Sequence, residues 1–289
     1  MPPEKFRVAL VQMSCGPEPE ENLAKALSRV AAAAGRGAKV VCLPELFQTQ
    51  YFCQREDHSL FDLAEPIPGP SSEKLSAAAR SNGVVLIASL FEKRAAGVYH
   101  NTAVVIDESG GVVGRYRKMH IPDDPRYYEK YYFTPGDLDF VAHSTSRGKV
   151  GVLVCWDQWF PEAARLTAMA GAQILFYPTA IGWWHGEPHK VRPKQVNAWE
   201  TIQRSHAIAN GIFVAAVNRV GVEGELEFWG DSFVADPFGE VIARASAADE
   251  ETLLAECNLA KIEEVRRNWP FLRDRRIDAY ADLTRRFRS

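Results

Sequence analysis

Short apolar runs and helical spacings alternate along the chain and predict an α/β protein. Strands are predicted at residues 6–13, 39–43, 84–91, 99–107, 112–116, near Phe140, and at 150–154, 173–177, 213–217, 228–234, 240–243 and 253–257. Apolar positions at helical spacing and helix-start or helix-end residues predict helices at 22–36, 71–82, from Pro161 onward, at 197–210 and at 261–267. Residues 46–70 and 117–138 are predicted as long loops, and loops of such length in compact domains are usually functional or disordered.

One pattern occurs twice. Residues 37–45 and 171–179 both read Gly-Ala-polar, then four apolar residues and Pro, and each follows an Ala-rich helix preceded by a strand. Two β-α-β units of the same build predict two sheets related by an approximate twofold, with helices on the outer faces: a four-layer αββα sandwich. No linker or change of composition divides residues 1–289, so we expect one domain, with the basic tail from Arg273 as a packing arm.

Composition narrows the class of protein. The 289 residues are 46% hydrophobic and 25% charged with a net charge of -3, which is typical of a soluble globular protein and argues against a nucleic-acid binder. There is no apolar run of membrane-span length and no signal-peptide pattern, so we expect no membrane partner and a cytoplasmic location. Five dispersed cysteines without a CxxC pair indicate reduced thiols, and we expect no cofactor.

A metal site is not expected either. The pair His185-x-x-x-His189 has the spacing of a helical metal motif, but Gly186 and Pro188 interrupt it, so the two rings cannot share one helical face.

Residues 148–162 carry the first candidate for chemistry. The buried strand 150–154 runs into Cys155, and Pro161 begins the next helix. A strand-to-helix turn displays a side chain at the rim of a sheet, and a nearby helix N-terminus would favour the thiolate. Cys155 is therefore a candidate nucleophile; the alternative is one more buried cysteine.

Three further charged residues are candidates. Glu45 follows a strand-ending Pro and has apolar and aromatic neighbours, so it could act as a base, or be a surface carboxylate. Lys118 follows a hairpin strand and could stabilise an oxyanion, or be solvated in a basic run. Glu129 lies among aromatic residues and could orient Lys118 or position substrate, or pair with a surface cation.

Four motifs occur in order: Pro-Glu-Leu-Phe, Arg-Lys-Met-His-Ile-Pro, Glu-x-x-Tyr-Phe-x-Pro-Gly and Val-Cys-Trp-Asp-x-x-Phe-Pro-Glu-Ala-Ala-Arg. Together they resemble the nitrilase superfamily of carbon–nitrogen hydrolases over nearly the whole chain. The resemblance implies the αββα fold, a Glu45-Lys118-Cys155 triad with Glu129 as accessory glutamate, and a homo-oligomer. It also implies a mechanism: Glu45 takes the thiol proton, sulfur attacks a carbonyl, and Lys118 with the backbone N–H of Trp156 holds the oxyanion.

Within the superfamily the motifs look most like N-carbamoylputrescine amidases of polyamine synthesis. Enzymes for N-carbamoyl-D-amino acids carry arginines after the nucleophile, where this chain has Gln158 and Trp159. A cationic amine tail would instead need carboxylates and aromatic faces. The candidates to bind it are Asp123, Asp124, Trp156, Trp183, Trp184 and Glu187.

Other interpretations remain open for these residues and for the substrate. The aspartates could be ordinary loop residues before Pro, and the tryptophans could pack in the core or at a subunit interface. Residues 183–186 are an insertion relative to typical carbamoylputrescine amidases, which puts the placement of Glu187 in question. The alternative substrates are a carbamoyl β-amino acid or a dicarboxylic acid monoamide, and a non-enzymatic scaffold is the remote alternative.

Overall fold

The computed structural model describes residues 4–288 and contains the predicted alternation of strands and helices. The strands are β1 (Lys5–Gln12), β2 (Ala38–Cys42), β3 (Val85–Ala95), β4 (Val98–Ile106), β5 (Val112–Arg117), β6 (Ala142–Thr145), β7 (Gly148–Val152), β8 (Ile174–Pro178), β9 (Gly182–Trp184), β10 (Phe213–Val217), β11 (Val220–Glu223), β12 (Leu226–Trp229), β13 (Phe233–Ala235), β14 (Val241–Arg244) and β15 (Glu251–Asn258). The helices are α1 (Pro19–Gly35), α2 (Pro70–Asn82), α3 (Glu129–Tyr132), α4 (Pro161–Met169), α5 (Arg192–Asn210) and α6 (Ala260–Asn268).

Two six-stranded sheets form the middle of the molecule. Their strand orders are β15-β1-β2-β3-β4-β5 and β14-β13-β10-β8-β7-β6. In each sheet three central strands are parallel, β1, β2 and β3 in the first and β7, β8 and β10 in the second. The repeated sequence pattern thus corresponds to one structural unit used twice. In both copies the glycine that opens the pattern has a positive φ, 88° at Gly37 and 102° at Gly171.

Alternation along the strands builds the four layers. In β1, Val8 and Leu10 belong to the core that is shared with the second sheet, whereas Ala9 and Val11 pack with α1 and α2. Helices α4 and α5 contact the second sheet and contribute buried side chains, including Trp199, to its core. The predicted four-layer αββα sandwich is confirmed.

Local differences from the predicted elements occur at the ends of the second sheet. The predicted strand 228–234 is two strands, because Gly230 and Asp231 both have positive φ and turn the chain between β12 and β13. Strand β12 joins β9 and β11, neither of which was predicted, in a separate three-stranded sheet. The strand expected near Phe140 begins at Ala142, and the helix expected from residue 197 begins at Arg192, with Pro193 in its first turn.

Candidate active site

Three strands of the two sheets and one short helix carry the predicted catalytic residues. Glu45 follows β2, Lys118 follows β5, Glu129 is the first residue of α3, and Cys155 lies three residues after β7. The Lys118 ammonium is 2.8 Å from Oε1 of Glu45 and 2.7 Å from Oε2 of Glu129. All three of these side chains are fully buried. The lysine therefore lies between two carboxylates out of contact with water.

The two oxygens of the Glu45 carboxylate differ in their surroundings. Oε1 accepts hydrogen bonds from Lys118 and, at 2.7 Å, from the side-chain amide of Asn101. Asn101 is held in turn by the Ser89 hydroxyl, which donates to its amide oxygen at 2.8 Å. Oε2 is buried and has no hydrogen-bond partner among residues 4–288. It is the oxygen that is free to accept a proton.

Glu129 and Lys118 share one electrostatic environment. Tyr51 donates its hydroxyl to Oε1 of Glu129 at 2.6 Å. Burial raises the pKa of Glu129 to about 7, although Lys118 acts in the opposite direction. Burial alone would lower the pKa of Lys118, but Glu129 and Glu45 outweigh it and hold that pKa well above its ordinary value. Lys118 is therefore a permanent cation at neutral pH, whereas Glu129 is close to its own midpoint.

Cys155 opens a 3-10 turn that spans Cys155–Trp159, and it adopts a φ of 42°, which is unusual for a residue with a side chain. Its thiol points to the carbonyl of Ala180 at 3.8 Å, and the backbone N–H of Glu45 donates to the carbonyl of the preceding Thr179 at 3.4 Å. The segment after β8 thus contacts both Cys155 and Glu45. Cys155 is 4% exposed, and that exposure opens into a cavity.

Burial dominates the protonation of the Cys155 thiol. It raises the pKa of this thiol well above its usual value, Glu45 raises it further, and Lys118 only partly opposes them. The N-terminus of helix α4, at Pro161, was expected to favour the thiolate, and burial outweighs it. The thiol form is therefore favoured at rest, in agreement with the expected mechanism in which Glu45 takes its proton.

Several residues that complete this arrangement were missed by the sequence analysis. Asn101 and Tyr51 bond the two carboxylates, and Asp157 accepts hydrogen bonds from the backbone N–H of Val154 and the hydroxyl of Tyr116, at 2.9 and 2.8 Å. Asn101 had a sequence signal, because His100, Asn101 and Thr102 are consecutive polar residues inside a predicted strand. Fully buried Arg219 had none, since a single arginine after a strand usually reaches solvent.

A cavity of about 460 Å³ opens beside Cys155. It is lined by Pro122, Asp124, Pro125, Tyr127, Cys155, Trp156, Trp159, Ile181, Gly182, Trp184, Glu187, Gln195, Ala198 and Trp229. Five of these residues are aromatic, and the two charged ones, Asp124 and Glu187, are both acidic. An aromatic and acidic wall favours a ligand with a positive end.

The predicted binding residues separate into two groups. Asp124, Trp156, Trp184 and Glu187 line the cavity, and Glu187 accepts a hydrogen bond from the Gln195 amide at 2.9 Å. Asp123 is exposed and is not part of the lining.

Two other residues singled out from the sequence point away from the cavity. Trp183 packs on Trp229 with ring centroids 5.4 Å apart, and the Arg192 guanidinium lies over its face. Gln158 points into the core, where its side-chain oxygen accepts the indole N–H of Trp199 at 2.7 Å. Trp159, its neighbour, lines the cavity.

Two negative findings apply to residues 4–288. Nowhere in this range do three His, Cys, Asp or Glu side chains group so that they could hold a metal ion. Over the same residues, no helix is both long enough and apolar enough to cross a membrane.

Comparison with known proteins gives the family. The sequence profile of the carbon-nitrogen hydrolases matches residues 7–267. An N-carbamoylputrescine amidase from Solanum lycopersicum is 42% identical over 96% of this chain and 94% of its own. A citrullinase from Francisella tularensis is 41% identical over 98% of this chain and 99% of its own. The crystal structure of a carbon-nitrogen hydrolase from Helicobacter pylori G27 covers 98% of this chain and 100% of its own, with 49% identity and a TM-score of 0.95. The chain therefore belongs to the carbon-nitrogen hydrolase family of the nitrilase superfamily and is a hydrolase that acts on the carbon–nitrogen bonds of small amide substrates.

Proposed function

We propose that this hydrolase converts N-carbamoylputrescine to putrescine, carbon dioxide and ammonia, a reaction of polyamine synthesis. The observation that carries the proposal is the lining of the cavity beside Cys155, which contains two carboxylates and no cationic side chain. The substrate has a ureido group at one end and a primary ammonium at the other. The ureido carbonyl would lie at Cys155, and the ammonium would lie near Asp124 and Glu187, with aromatic faces along the methylenes.

The first half of the reaction forms a bond to sulfur. Glu45 accepts the Cys155 proton on Oε2, the carboxylate oxygen that has no other partner. The sulfur attacks the ureido carbonyl carbon, and its electron pair displaces the C=O π pair onto oxygen. The Lys118 ammonium and the backbone N–H of Trp156 stabilise that oxyanion. The high pKa of the Cys155 thiol supports proton removal during attack and not before it.

The second half releases the products. When the oxyanion collapses, the C–N bond breaks and Glu45 gives its proton to the departing ammonia, which leaves a thiocarbamate on Cys155. Glu45 then takes a proton from water, whose oxygen attacks the same carbon and displaces the sulfur. The carbamate that forms loses carbon dioxide to give putrescine. One carboxylate therefore serves as base, acid and base again, while Glu129 keeps Lys118 in place.

The citrullinase relative supports a second candidate substrate. Citrulline carries the same ureido group, and it differs from N-carbamoylputrescine only by a carboxylate next to its ammonium. A cavity that binds this carboxylate would need a cation. None of the lining residues supplies one, and Asp124 and Glu187 would repel it. N-carbamoyl-β-alanine and dicarboxylic acid monoamides, which also carry carboxylates, are disfavoured for the same reason.

A substrate panel tests the proposal. Ammonia release is measured for N-carbamoylputrescine, citrulline, N-carbamoyl-β-alanine and a dicarboxylic acid monoamide with the wild type and with Cys155→Ala. We expect kcat/KM for N-carbamoylputrescine to exceed that for citrulline by about 10²-fold or more, because like charges in an interface cost several kcal/mol. Cys155→Ala should be inactive and folded. If any carboxylate-bearing compound is turned over faster than N-carbamoylputrescine, the proposed substrate is rejected. If Cys155→Ala retains turnover, the assignment of Cys155 as nucleophile is rejected.

We also propose that residues 1–289 act as one domain within a homo-oligomer in the cytoplasm. The outer helices α4 and α5 expose large apolar side chains, Leu166, Met169 and Ile208, which support contact with a second copy. Five free, buried cysteines support a reducing compartment. Light scattering on the purified chain tests the assembly, and a monomeric mass at micromolar concentration would contradict it.

A further inference from the structure

We propose that Arg219 is a positioning residue for the catalytic base: its guanidinium fixes the backbone turn that presents Glu45. This inference rests on the proposed function, since it takes Glu45 to be the base that serves Cys155. Arg219 does not line the cavity, so any effect on the reaction would act through the residues that it holds.

The contacts of Arg219 converge on the segment that follows β2. One terminal nitrogen, Nη2, donates to the carbonyl oxygens of Glu45 at 2.6 Å and Leu46 at 3.0 Å. The other, Nη1, donates to the carbonyl of Thr49 at 3.2 Å. Leu46 has a φ of 47°, so the backbone leaves the strand through a left-handed residue immediately after the base. A planar fork with fixed donor directions holds such a turn more strictly than a single flexible contact would.

The counterion of Arg219 extends this control to the second carboxylate. Both oxygens of Glu223 lie 2.9 Å from Nη1 of Arg219, and one of them also accepts the backbone N–H of Tyr51 at 2.5 Å. The Tyr51 hydroxyl donates to Glu129. The ion pair therefore fixes both ends of the loop 45–51, which supplies the base at one end and the partner of Glu129 at the other.

The residue that precedes Arg219 holds the segment that faces the Cys155 sulfur. Asn218, next to Arg219 at the end of β10, accepts the N–H of Ile181 at 3.0 Å and donates to its carbonyl at 2.9 Å. Ile181 follows Ala180, whose carbonyl faces the Cys155 sulfur. Asn218 and Arg219 thus attach two loops to the end of β10, the loop that begins at Glu45 and the segment that faces Cys155. Because both are attached to one strand end, the distance between them is fixed.

Folding stability does not explain why Arg219 and Glu223 are buried as an ion pair. Arg219 is fully buried and Glu223 is 2% exposed. Removing two such charges from water costs several kcal/mol per ion, and an apolar pair of equal volume is often as stable. What an apolar pair cannot do is hydrogen-bond three carbonyls and one N–H of a single loop. That loop geometry is the property that the arginine supplies.

The test separates positioning from folding by changing the leaving group. Both compounds need Glu45 to take the Cys155 proton. N-carbamoylputrescine must also expel ammonia, which needs a proton from Glu45, whereas an aryl carbamate with the same 4-aminobutyl tail expels aryloxide unaided and forms the same thiocarbamate. Arg219→Lys and Arg219→Met are compared with wild type on both compounds. We expect kcat for N-carbamoylputrescine to fall by about 10²-fold or more, because the base and acid roles of Glu45 are both impaired, with KM within about twofold. Acylation by the aryl carbamate should fall by a factor at least about 10-fold smaller, because only the base role is impaired.

An equal loss on both compounds, or a change confined to KM, would overturn the proposal. If Arg219→Met does not fold, Arg219→Lys and Glu223→Gln carry the comparison, and both should show the same leaving-group dependence. Lys261→Met is the control, because it removes an ion pair with buried Asp236 far along the chain from the base loop and should leave the ratio of the two rates unchanged. If Cys155→Ala retains turnover, the proposed function itself has failed; an equal loss on both compounds while Cys155→Ala is inactive rejects only the role of Arg219.

Discussion

The Lys118 ammonium and the Glu45 carboxylate form an ion pair of 2.8 Å in which neither side chain is exposed. Glu129 lies on the other side of the same ammonium. With both carboxylates ionised the cluster has a net charge of -1, and one transferred thiol proton would bring it to neutrality.

Replacing Glu45 by Gln should abolish turnover while it preserves the fold. The amide oxygen can still accept from Lys118 and Asn101, but the side chain can no longer accept a proton. We expect kcat to fall by at least about 10³-fold, because one group performs several proton transfers. Steady-state ammonia release and thermal unfolding are the measurements. A loss smaller than tenfold at normal stability would exclude Glu45 as the base.

Replacing Lys118 by Met should destabilise the protein by about 3–5 kcal/mol, because Glu45 and Glu129 lose their buried counterion. The deficit should depend on pH. The pKa of Glu129 is raised from 4.5 to about 7 in the folded protein, so its contribution to stability decreases as pH rises through that window. Lys118 opposes this shift, so its loss should cost more at pH 8 than at pH 5. Urea unfolding at both values measures the difference; a constant deficit would contradict the expectation.

Alkylation of Cys155 by iodoacetamide should keep accelerating above about pH 9, where an ordinary thiol is already mostly ionised. Burial and Glu45 raise the pKa of this thiol, so its thiolate fraction is small at neutral pH and grows as pH increases. Peptide mapping by mass spectrometry follows the modified residue. The other four cysteines are buried outside the cavity lining and should remain unmodified in the folded protein. A rate that levels off below pH 8 would indicate a resting thiolate instead.

Adjacent aspartates offer a matched pair of variants for the cavity. Asp124→Asn should raise KM for N-carbamoylputrescine by about 3- to 10-fold with little change in kcat, because it removes one charge from a partly solvated ammonium site. Asp123→Asn, one residue away but outside the lining, should change KM less than twofold. Equal increases in KM for the two variants would mean that amine binding depends on the summed negative charge of the loop and not on the position of Asp124 in the cavity wall.

The sequence was most informative where a strand ends. Glu45 and Lys118 were predicted because each directly follows a recognisable strand, and the repeated Gly-Ala pattern predicted both sheets. The helix N-terminus was expected to favour the Cys155 thiolate, but burial by distant segments, which the local turn does not reveal, favours the thiol. Arg219 was missed because its partners lie about 170 positions earlier in the chain. Trp184 lines the cavity and Trp183 does not, and this depends on the pairing of β9 with β12. Neither strand's sequence alone reveals that pairing.

The position of strand β9 has a consequence for how the substrate preference of such an enzyme can change. Residues 182–184 pair with β12 in a small sheet that is separate from the two sheets of the sandwich, yet Gly182 and Trp184 form part of the cavity wall. Insertions or exchanges in this strand can therefore reshape the entrance of the cavity while the strands that precede Glu45, Lys118 and Cys155 stay unchanged.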